Sequence, residues 1–291
     1  MSDLAKPTIG FIGTGVMGRS MAGHLLDAGY AINVFNRTKA KTDDLVAKGA
    51  MWQDSPAAVA KASEVIITII GFPKDVEAVY FGDDGLIANA PSGACLIDMT
   101  TSRPDLAIRI ADEAKAKGLF ALDAPVSGGD LGAREARLSI MVGGDKATFD
   151  KVKPIFQAMG KNIVYQGSAG SGQHTKMANQ IAIAAGMLGV CEAIAYAEKS
   201  GLDPSTVLES IASGAAGSWS LSNLAPRIIA GNFDPGFFVK HFIKDMTIAL
   251  ESSEAMDLSM PGLAAAKASY EKLAAQGGED LGTHGLYKLY Q

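Results

Sequence analysis

The feature that most constrains this chain is a glycine pattern that directly follows a short apolar run near the N-terminus. Residues 9–12 have the length and composition of a buried strand, and residues 17–28 have the pattern of a helix. Between them, the first glycine of a Gly-x-Gly-x-x-Gly spacing permits a tight turn. The second lets a pyrophosphate approach the backbone, and the third lets the helix pack closely on the strand. A glycine-rich turn without a ligand is the alternative, but unpaired N–H groups at a helix start favour an anion. The pattern therefore predicts a dinucleotide site formed by Gly13, Thr14, Gly15, Val16, Met17 and Gly18.

Strands and helices alternate through the first 165 residues. Apolar runs predict strands at 31–35, 65–70, 94–98, 120–123, 139–142 and 162–165. Helical patterns occur at 39–48, 55–61, 73–80, 104–117 and 146–159, and Ser55 is a candidate N-cap before Pro56. Because the strands lack polar alternation, they predict a mostly parallel sheet covered by helices on both faces. Ligands of such sheets bind beyond the carboxyl ends of the strands, so functional residues are expected there.

The pattern changes after Tyr165. Glycines 167, 170 and 172 form a hinge, and a long helix, apolar nearly all round, is predicted over residues 173–200. Such a helix is expected to be buried between other elements. Further helices are predicted at 204–212, 222–230, 240–256 and 263–276. The sequence thus predicts an α/β domain over residues 1–165 that binds a dinucleotide and an all-helical domain over residues 166–291.

Composition narrows the class of protein. The chain has 48% hydrophobic and 20% charged residues, a net charge of −5 and no basic tract, so nucleic acid is not an expected partner. No apolar run precedes the first strand, and the apolar helical stretch 181–191 is too short to span a bilayer, so no membrane partner is expected. Two cysteines in apolar runs and four histidines without metal-ligand spacing predict no metal site. We expect a soluble cytoplasmic protein.

The end of the second predicted strand bears on the choice of nucleotide. NAD-binding sites carry an acidic residue there to bind the ribose hydroxyls. This chain has Asn36, Arg37 and Thr38 instead. Arg37 can pair with a 2′-phosphate while Asn36 and Thr38 hydrogen-bond it, although Arg37 could also be a solvated residue that stacks on the adenine. The stretch favours NADP as cofactor, with NAD possible.

Three further stretches carry candidate chemistry. Ser127, Gly128 and Gly129 follow a strand end, where the hydroxyl and exposed N–H groups can hold a carboxylate, unless they form an ordinary turn. Lys176 lies near the start of the long apolar helix, where an unpaired lysine is costly, and Asn179 and Gln180 follow one turn later. In the third stretch Lys240 and Lys244 share a helix face, and Asp245 is a candidate partner for one of them.

Together these motifs resemble those of the β-hydroxyacid dehydrogenases, a family that includes 3-hydroxyisobutyrate dehydrogenase, tartronate semialdehyde reductase and the glyoxylate/succinic semialdehyde reductases. The resemblance runs from about Ile9 to the C-terminus and rests on four motifs in order: residues 10–18, 123–129, 170–176 and 244–245. It implies a Rossmann-like domain followed by an all-α domain, and hydride transfer between a nicotinamide and a small 3-hydroxy acid or semialdehyde. It also implies that Lys176 is catalytic, that Ser127 and Gly128 bind substrate, and that Thr101 and Lys244 lie near the nicotinamide or substrate. The same resemblance implies that the helical domain serves substrate binding and oligomerisation, so a homodimer or homotetramer is expected.

Other functions remain open at this point. The pair Asn179-Gln180 differs from the 3-hydroxyisobutyrate branch, which often carries asparagine four residues after the lysine, and is more like the reductase branch. An NAD-linked 3-hydroxyisobutyrate dehydrogenase is nevertheless an alternative. An imine reductase shares the architecture but usually lacks the lysine, and a dinucleotide-binding module without turnover would need neither Lys176 nor Lys244. The sequence does not identify the acid, since the residues that shape the pocket are not fixed by a motif.

Overall fold

The chain forms two compact units, the first ending at Lys176 and the second covering Met177–Gln291. The structure is a computed structural model that describes residues 6–291. The boundary predicted after residue 165 falls inside the last strand of the first unit, Gly160–Gly167. The predicted fold class is confirmed: a Rossmann-like α/β domain precedes an all-helical domain.

The first unit is built on one nine-stranded sheet. Its strands are β1 (Ile9–Ile12), β2 (Ile32–Phe35), β3 (Met51–Trp52), β4 (Val65–Thr68), β5 (Cys95–Asp98), β6 (Phe120–Asp123), β7 (Val126–Ser127), β8 (Leu138–Gly144) and β9 (Gly160–Gly167). The short strands β3 and β7 are not predicted from the sequence, because two residues carry no periodic signal.

The strand order is β3-β2-β1-β4-β5-β6-β8-β7, and β9 pairs with β8. All pairs from β3 to β6 are parallel, whereas β8 runs antiparallel to β6 and β7. The order 3-2-1-4-5-6 is that of dinucleotide-binding sheets, whose ligands bind where the order reverses, beside β1 and β4. The carboxyl ends of β1, β2, β4, β5 and β6 therefore lie along one edge of the sheet.

Helices cover both faces of this sheet. They are α1 (Gly18–Asp27), α2 (Asp43–Ala47), α3 (Pro56–Lys61), α4 (Pro73–Tyr80), α5 (Leu86–Asn89), α6 (Pro104–Ala116), α7 (Gly129–Arg134) and α8 (Lys146–Gln157). Ile9 and Phe11 of β1 pack in one buried cluster, and Ile12 packs in the other. Residues 39–48 are not one helix as predicted, since a 3-10 turn (Lys39–Thr42) precedes α2. The N-cap prediction is confirmed, because Ser55 Oγ accepts from Ala58 N at 3.1 Å.

A long helix, α9 (Ser171–Lys199), begins in the first unit and continues into the second. The helices that follow it are α10 (Pro204–Ile211), α11 (Trp219–Asn223), α12 (Ala225–Ile229), α13 (Val239–Glu254) and α14 (Pro261–Leu273), with a 3-10 segment at Thr283–Leu289. The single helix predicted over 222–230 is two helices, because Pro226 sits in the first turn of α12 and cannot continue α11. A π-helical turn with Gly277 at φ +83° follows α14.

The expectation that α9 is buried between other elements holds for only part of its surface. One face is exposed, and it carries mostly small residues: Ala178, Ala182, Ala185, Gly186, Gly189 and Tyr196. Small apolar residues raise hydropathy without demanding burial, so the apolar pattern alone does not reveal this face. By length and composition α9 is also long enough and apolar enough to cross a membrane, contrary to the estimate from residues 181–191, although core helices of soluble proteins meet the same criterion.

Candidate active site

The glycine-rich loop between β1 and α1 combines two closely packed glycines with one open one. A Cβ added to Gly13, which has φ +100°, would lie 2.2 Å from the carbonyl oxygen of Ile69. A Cβ on Gly18 would lie 1.9 Å from the carbonyl oxygen of Gly13. Around Gly15, by contrast, a Cβ would meet nothing within 4 Å. The two outer glycines are therefore required by packing, and the middle one borders open space in front of the start of α1.

The same loop fits the pyrophosphate of a dinucleotide. Thr14 is buried, and its Oγ1 is a buried atom without a hydrogen-bond partner. The N-terminus of α1 has no side-chain cap and no acidic residue in its first turn. A phosphate would satisfy both the hydroxyl and the helix N–H groups. Met17 packs against the core and Val16 is half-exposed at the mouth of the loop.

The tip of β2 lies against this loop. Asn36 Oδ1 accepts from Thr14 N at 3.2 Å, and Asn36 Nδ2 donates to the carbonyl oxygen of Thr38 at 2.9 Å. Arg37 is different, because its side chain is 82% exposed. Its Nη1 lies 3.3 Å from Oδ1 of Asp75 in the first turn of α4. Arg37 therefore presents a positive charge at the surface, next to the residue that fixes the loop.

The end of β5 carries a buried carboxylate that sequence reasoning missed. Asp98 Oδ1 accepts from Thr100 N at 3.0 Å and from Thr68 Oγ1 at 2.9 Å, and Thr68 in turn pairs with the hydroxyl of Tyr80 at 2.9 Å. Burial raises the pKa of Asp98 to about 6, although its hydrogen bonds oppose the shift. This network holds the residues that follow the strand, including the half-buried Thr101.

At the end of β6, Asp123 caps the start of α9. Its two carboxylate oxygens each accept a backbone hydrogen bond at 2.8 Å, Oδ1 from Gly170 N and Oδ2 from Gln173 N. Burial raises the pKa of Asp123, and these backbone donors act against the increase. The fully buried amide of Gln173 then accepts from Ser102 N at 3.0 Å and donates to the carbonyl oxygen of Thr100 at 2.7 Å. Asp123 and Gln173 thus join β6, α9 and the loop after β5.

Lys176 lies one turn into α9 beyond this junction. Lys176 is only 7% exposed, and its Nζ donates to the carbonyl oxygen of Val126 at 2.8 Å. Val126 directly precedes the half-buried Ser127 at the end of β7. Gly128 and Gly129 follow with φ +128° and +63°, which favour glycine. The structure therefore brings Lys176 to the segment that the sequence selects for binding a carboxylate.

The remaining predicted residues lie in the second unit. Asn179 Nδ2 donates to Gln180 Oε1 at 2.8 Å, and Gln180 Nε2 donates to Asp245 Oδ2 at 2.5 Å. Lys244 pairs with the other oxygen of Asp245 at 3.0 Å, and both residues are nearly buried. Lys240 pairs instead with Asp280. Asp245 is therefore the partner of Lys244, and it links the two polar residues of α9 to α13.

The first unit can bind a dinucleotide along the carboxyl edge of its sheet and place a buried ammonium group beside a strand end. Gln173 and Asp98, which hold this edge together, were missed. A glutamine three residues before the lysine, and an aspartate at a strand end, were the available signals. Within residues 6–291 no cluster of three or more histidine, cysteine or acidic residues is arranged to hold a metal ion.

Comparison with known proteins places each half of the chain. Residues 8–167 match the NAD binding domain of 6-phosphogluconate dehydrogenase. Residues 170–290 match a family described as NAD-binding of NADP-dependent 3-hydroxyisobutyrate dehydrogenase.

Other relatives match the chain over nearly its whole length. The uncharacterized oxidoreductase YkwC of Bacillus subtilis (strain 168) is 64% identical over 285 residues, covering 98% of this chain and 99% of the relative. The 2-hydroxy-3-oxopropionate reductase of Escherichia coli (strain K12) is 39% identical over 273 residues, covering 94% and 93%. The solved structure of Mycobacterium tuberculosis 3-hydroxyisobutyrate dehydrogenase with L-serine matches with a TM-score of 0.90 at 28% identity, covering 99% and 100%. With a glycine-rich loop that fits a dinucleotide and relatives aligned over nearly their whole length, the chain belongs to the β-hydroxyacid dehydrogenase family, NAD(P)-dependent oxidoreductases that act on CH–OH donors.

Proposed function

We propose that this protein is an NADP(H)-dependent enzyme that interconverts a small semialdehyde acid and the corresponding 3-hydroxy acid, with Lys176 as general acid and base. The observation that carries the proposal is the position of Lys176, whose buried Nζ is 2.8 Å from the carbonyl oxygen of Val126 and so adjoins Ser127. Burying a lysine costs free energy, and a buried lysine beside a strand end of a dinucleotide-binding unit is therefore a candidate functional residue.

The proton transfer assigned to Lys176 follows from the charge that develops during reduction. The nicotinamide, when bound, supplies the hydride that reaches the carbonyl carbon. The carbonyl oxygen then gains negative charge, and the Lys176 ammonium donates a proton to it, leaving a neutral amine and a hydroxyl group. In the oxidation the neutral amine accepts the hydroxyl proton, so a rising pH favours that direction. The hydrogen bond to the carbonyl oxygen of Val126 fixes the position of Nζ.

Recognition of the substrate carboxylate is assigned to Ser127, Gly128 and Gly129. The two glycines adopt positive φ angles, which residues with side chains disfavour, so the backbone turns sharply after Ser127. Two relatives support this substrate class: one is named for 2-hydroxy-3-oxopropionate, a semialdehyde acid, and one was solved with L-serine, a 3-hydroxy acid. Asn179 and Gln180 are proposed to assist near the reacting oxygen, with Lys244 and Thr101 near the nicotinamide or substrate.

The preference for NADP(H) rests on Arg37. Its guanidinium is exposed beside Asn36, whose side chain binds the glycine-rich loop, so a 2′-phosphate could be held by a charge-assisted pair. No carboxylate stands at the tip of β2, where an NAD ribose would need one. The proposed cofactor residues are thus the loop Gly13–Gly18 with Asn36, Arg37 and Thr38.

A substrate panel tests the proposal. With NADPH and NADH, we expect succinic semialdehyde and tartronate semialdehyde to be reduced, NADPH being preferred. Butyraldehyde should lose most of kcat/KM, because it lacks the remote anion whose binding energy orients the reacting carbon. Equal rates with butyraldehyde would contradict the carboxylate site, and faster turnover of a cyclic imine would favour an imine reductase instead. A preference for NADH with 3-hydroxyisobutyrate would favour the NAD-linked dehydrogenase.

A further inference from the structure

Asp75 pairs with Arg37 but has no role in the proposed function. It lies in the first turn of α4, and its side chain is 20% exposed, whereas that of Arg37 is 82% exposed. Arg37 Nη1 donates to Asp75 Oδ1 at 3.3 Å. Arg37, the cation proposed to bind the 2′-phosphate, therefore already has a carboxylate partner. That carboxylate is on α4, the helix that follows β4.

Two negative groups cannot share one guanidinium without opposing each other. A 2′-phosphate bound to Arg37 would stand within a few ångströms of the Asp75 carboxylate and be repelled by it. It would also compete for the Nη1 donor. The uncharged 2′-hydroxyl of NADH suffers no such repulsion, and it can donate a hydrogen bond to a carboxylate. Asp75 would thus act in opposite directions on the two cofactors.

From this geometry we propose that Asp75 is a specificity-determining residue, which limits the NADPH preference set by Arg37 and keeps NADH usable. The inference rests on the proposed role of Arg37 in binding the 2′-phosphate. Because the Arg37 side chain is largely solvated and the interaction is screened by salt, the effect is modest, on the order of three- to tenfold in affinity at low ionic strength.

The test is the variant Asp75→Asn, which removes the charge and keeps the size of the side chain. Dissociation constants for NADPH and NADH are measured by cofactor fluorescence without substrate. We expect NADPH to bind about three- to tenfold more tightly and NADH equally or more weakly. Glu77→Gln is the matched control, since it makes the same charge change on the same helix but pairs with Arg109, at 3.2 Å. It should leave the ratio of the two constants unchanged.

The same titrations in an Arg37→Ala background separate the possible failures. There the Asp75→Asn effect on the ratio should disappear, because the shared cation is gone. If Asp75→Asn leaves the ratio unchanged while Arg37→Ala weakens NADPH, the inference about Asp75 is overturned and the role of Arg37 stands. If Arg37→Ala does not weaken NADPH, both the inference and the proposed cofactor assignment are overturned. An equal shift for both cofactors would likewise exclude a role in specificity.

Discussion

Two cations of the first unit, Arg37 and Lys176, lie in opposite environments. The Arg37 side chain is 82% exposed and shares its charge with Asp75, while Lys176 is 7% exposed and donates to a backbone carbonyl. A solvated cation contributes little until a ligand arrives and is easily screened. A buried one is costly to place and acts strongly on whatever charge develops beside it. The contrast teaches that exposure separates a group suited to choosing a ligand from one suited to catalysis.

The largest expected effect comes from removing the buried cation. Lys176→Ala should lower kcat by about 10²–10⁴-fold, the usual contribution of a general acid, while NADPH affinity is nearly retained. Single-turnover kinetics and cofactor titration measure the two separately. Lys146→Ala is the control, because Lys146 is an exposed lysine paired with Asp150. Weaker NADPH binding with little change in kcat would instead give Lys176 a phosphate-binding role and make Lys244 the next candidate.

Buried charge should also be visible in stability. The pKa of Asp98 is raised to about 6 in the folded chain from an ordinary value of 3.8. Between these values the folded state holds a proton that the unfolded state has released, so the free energy of unfolding falls as the pH rises through this window. At 1.36 kcal/mol per unit the loss is about 3 kcal/mol. Asp98→Asn, which can still accept from Thr100 N and Thr68, should flatten this slope in urea unfolding from pH 4 to 6.

The control for that measurement is Asp105→Asn. The side chain of Arg103, two residues earlier, lowers the pKa of Asp105 from its ordinary value of 3.8, so the contribution of Asp105 has the opposite sign and is lost only as the pH falls below that value. Asp105→Asn should therefore leave the slope between pH 4 and 6 unchanged. A slope that is equal in the native chain and in Asp98→Asn would show that Asp98 ionises normally.

Replacing Arg37 should change the preference between NADPH and NADH rather than the rate of the chemical step. Arg37→Asp should reverse a preference for NADPH of about 1.5–3 kcal/mol, the size of a hydrogen bond to a charged group, because a carboxylate repels the phosphate and accepts from a ribose hydroxyl. The ratio of kcat/KM for the two cofactors measures this, with kcat at saturation little changed. Equal use of both cofactors by the unmodified enzyme would remove the basis of the contrast.

The smallest effect is that of salt. Raising the ionic strength from about 0.01 M to 1 M shortens the screening length from about 30 Å to 3 Å, so NADPH should lose several-fold more affinity than NADH. The rate of the chemical step beside buried Lys176 should be insensitive to the same change. If salt lowered the rate of the chemical step as much as it lowered the affinity for NADPH, solvent ions would have to reach Lys176 during turnover.

The sequence predicts those parts of the molecule that depend on neighbouring residues. The strand, turn and helix at the N-terminus follow from glycine spacing, and helix Pro73–Tyr80 follows from a proline start and local periodicity. Lys176 stands out because a charge in an apolar helix is conspicuous in any chain. The family and the fold class predicted from these motifs are confirmed.

What escapes prediction depends on residues far apart in the chain. Gln173 binds Ser102 N across 71 positions, and nothing around either residue signals the other. Strand β7 exists through its pairing with β8 rather than through its own two residues. The exposed face of α9 escapes prediction for a different reason, because alanine and glycine occur both in the core and on the surface of proteins.

The glycine at position 172 limits how such an enzyme can diversify. A Cβ there would lie 2.4 Å from the carbonyl oxygen of Met141 and 2.6 Å from that of Asp123. Any side chain would push the start of α9 away from the strands and move Lys176 with it. Single substitutions at Gly172 therefore require the backbone to shift, whereas the exposed side chain of Arg37 can be replaced without such a shift. Under the proposed roles of the two cations, single substitutions near Arg37 can change the cofactor preference, whereas the packing around Gly172 constrains the position of Lys176.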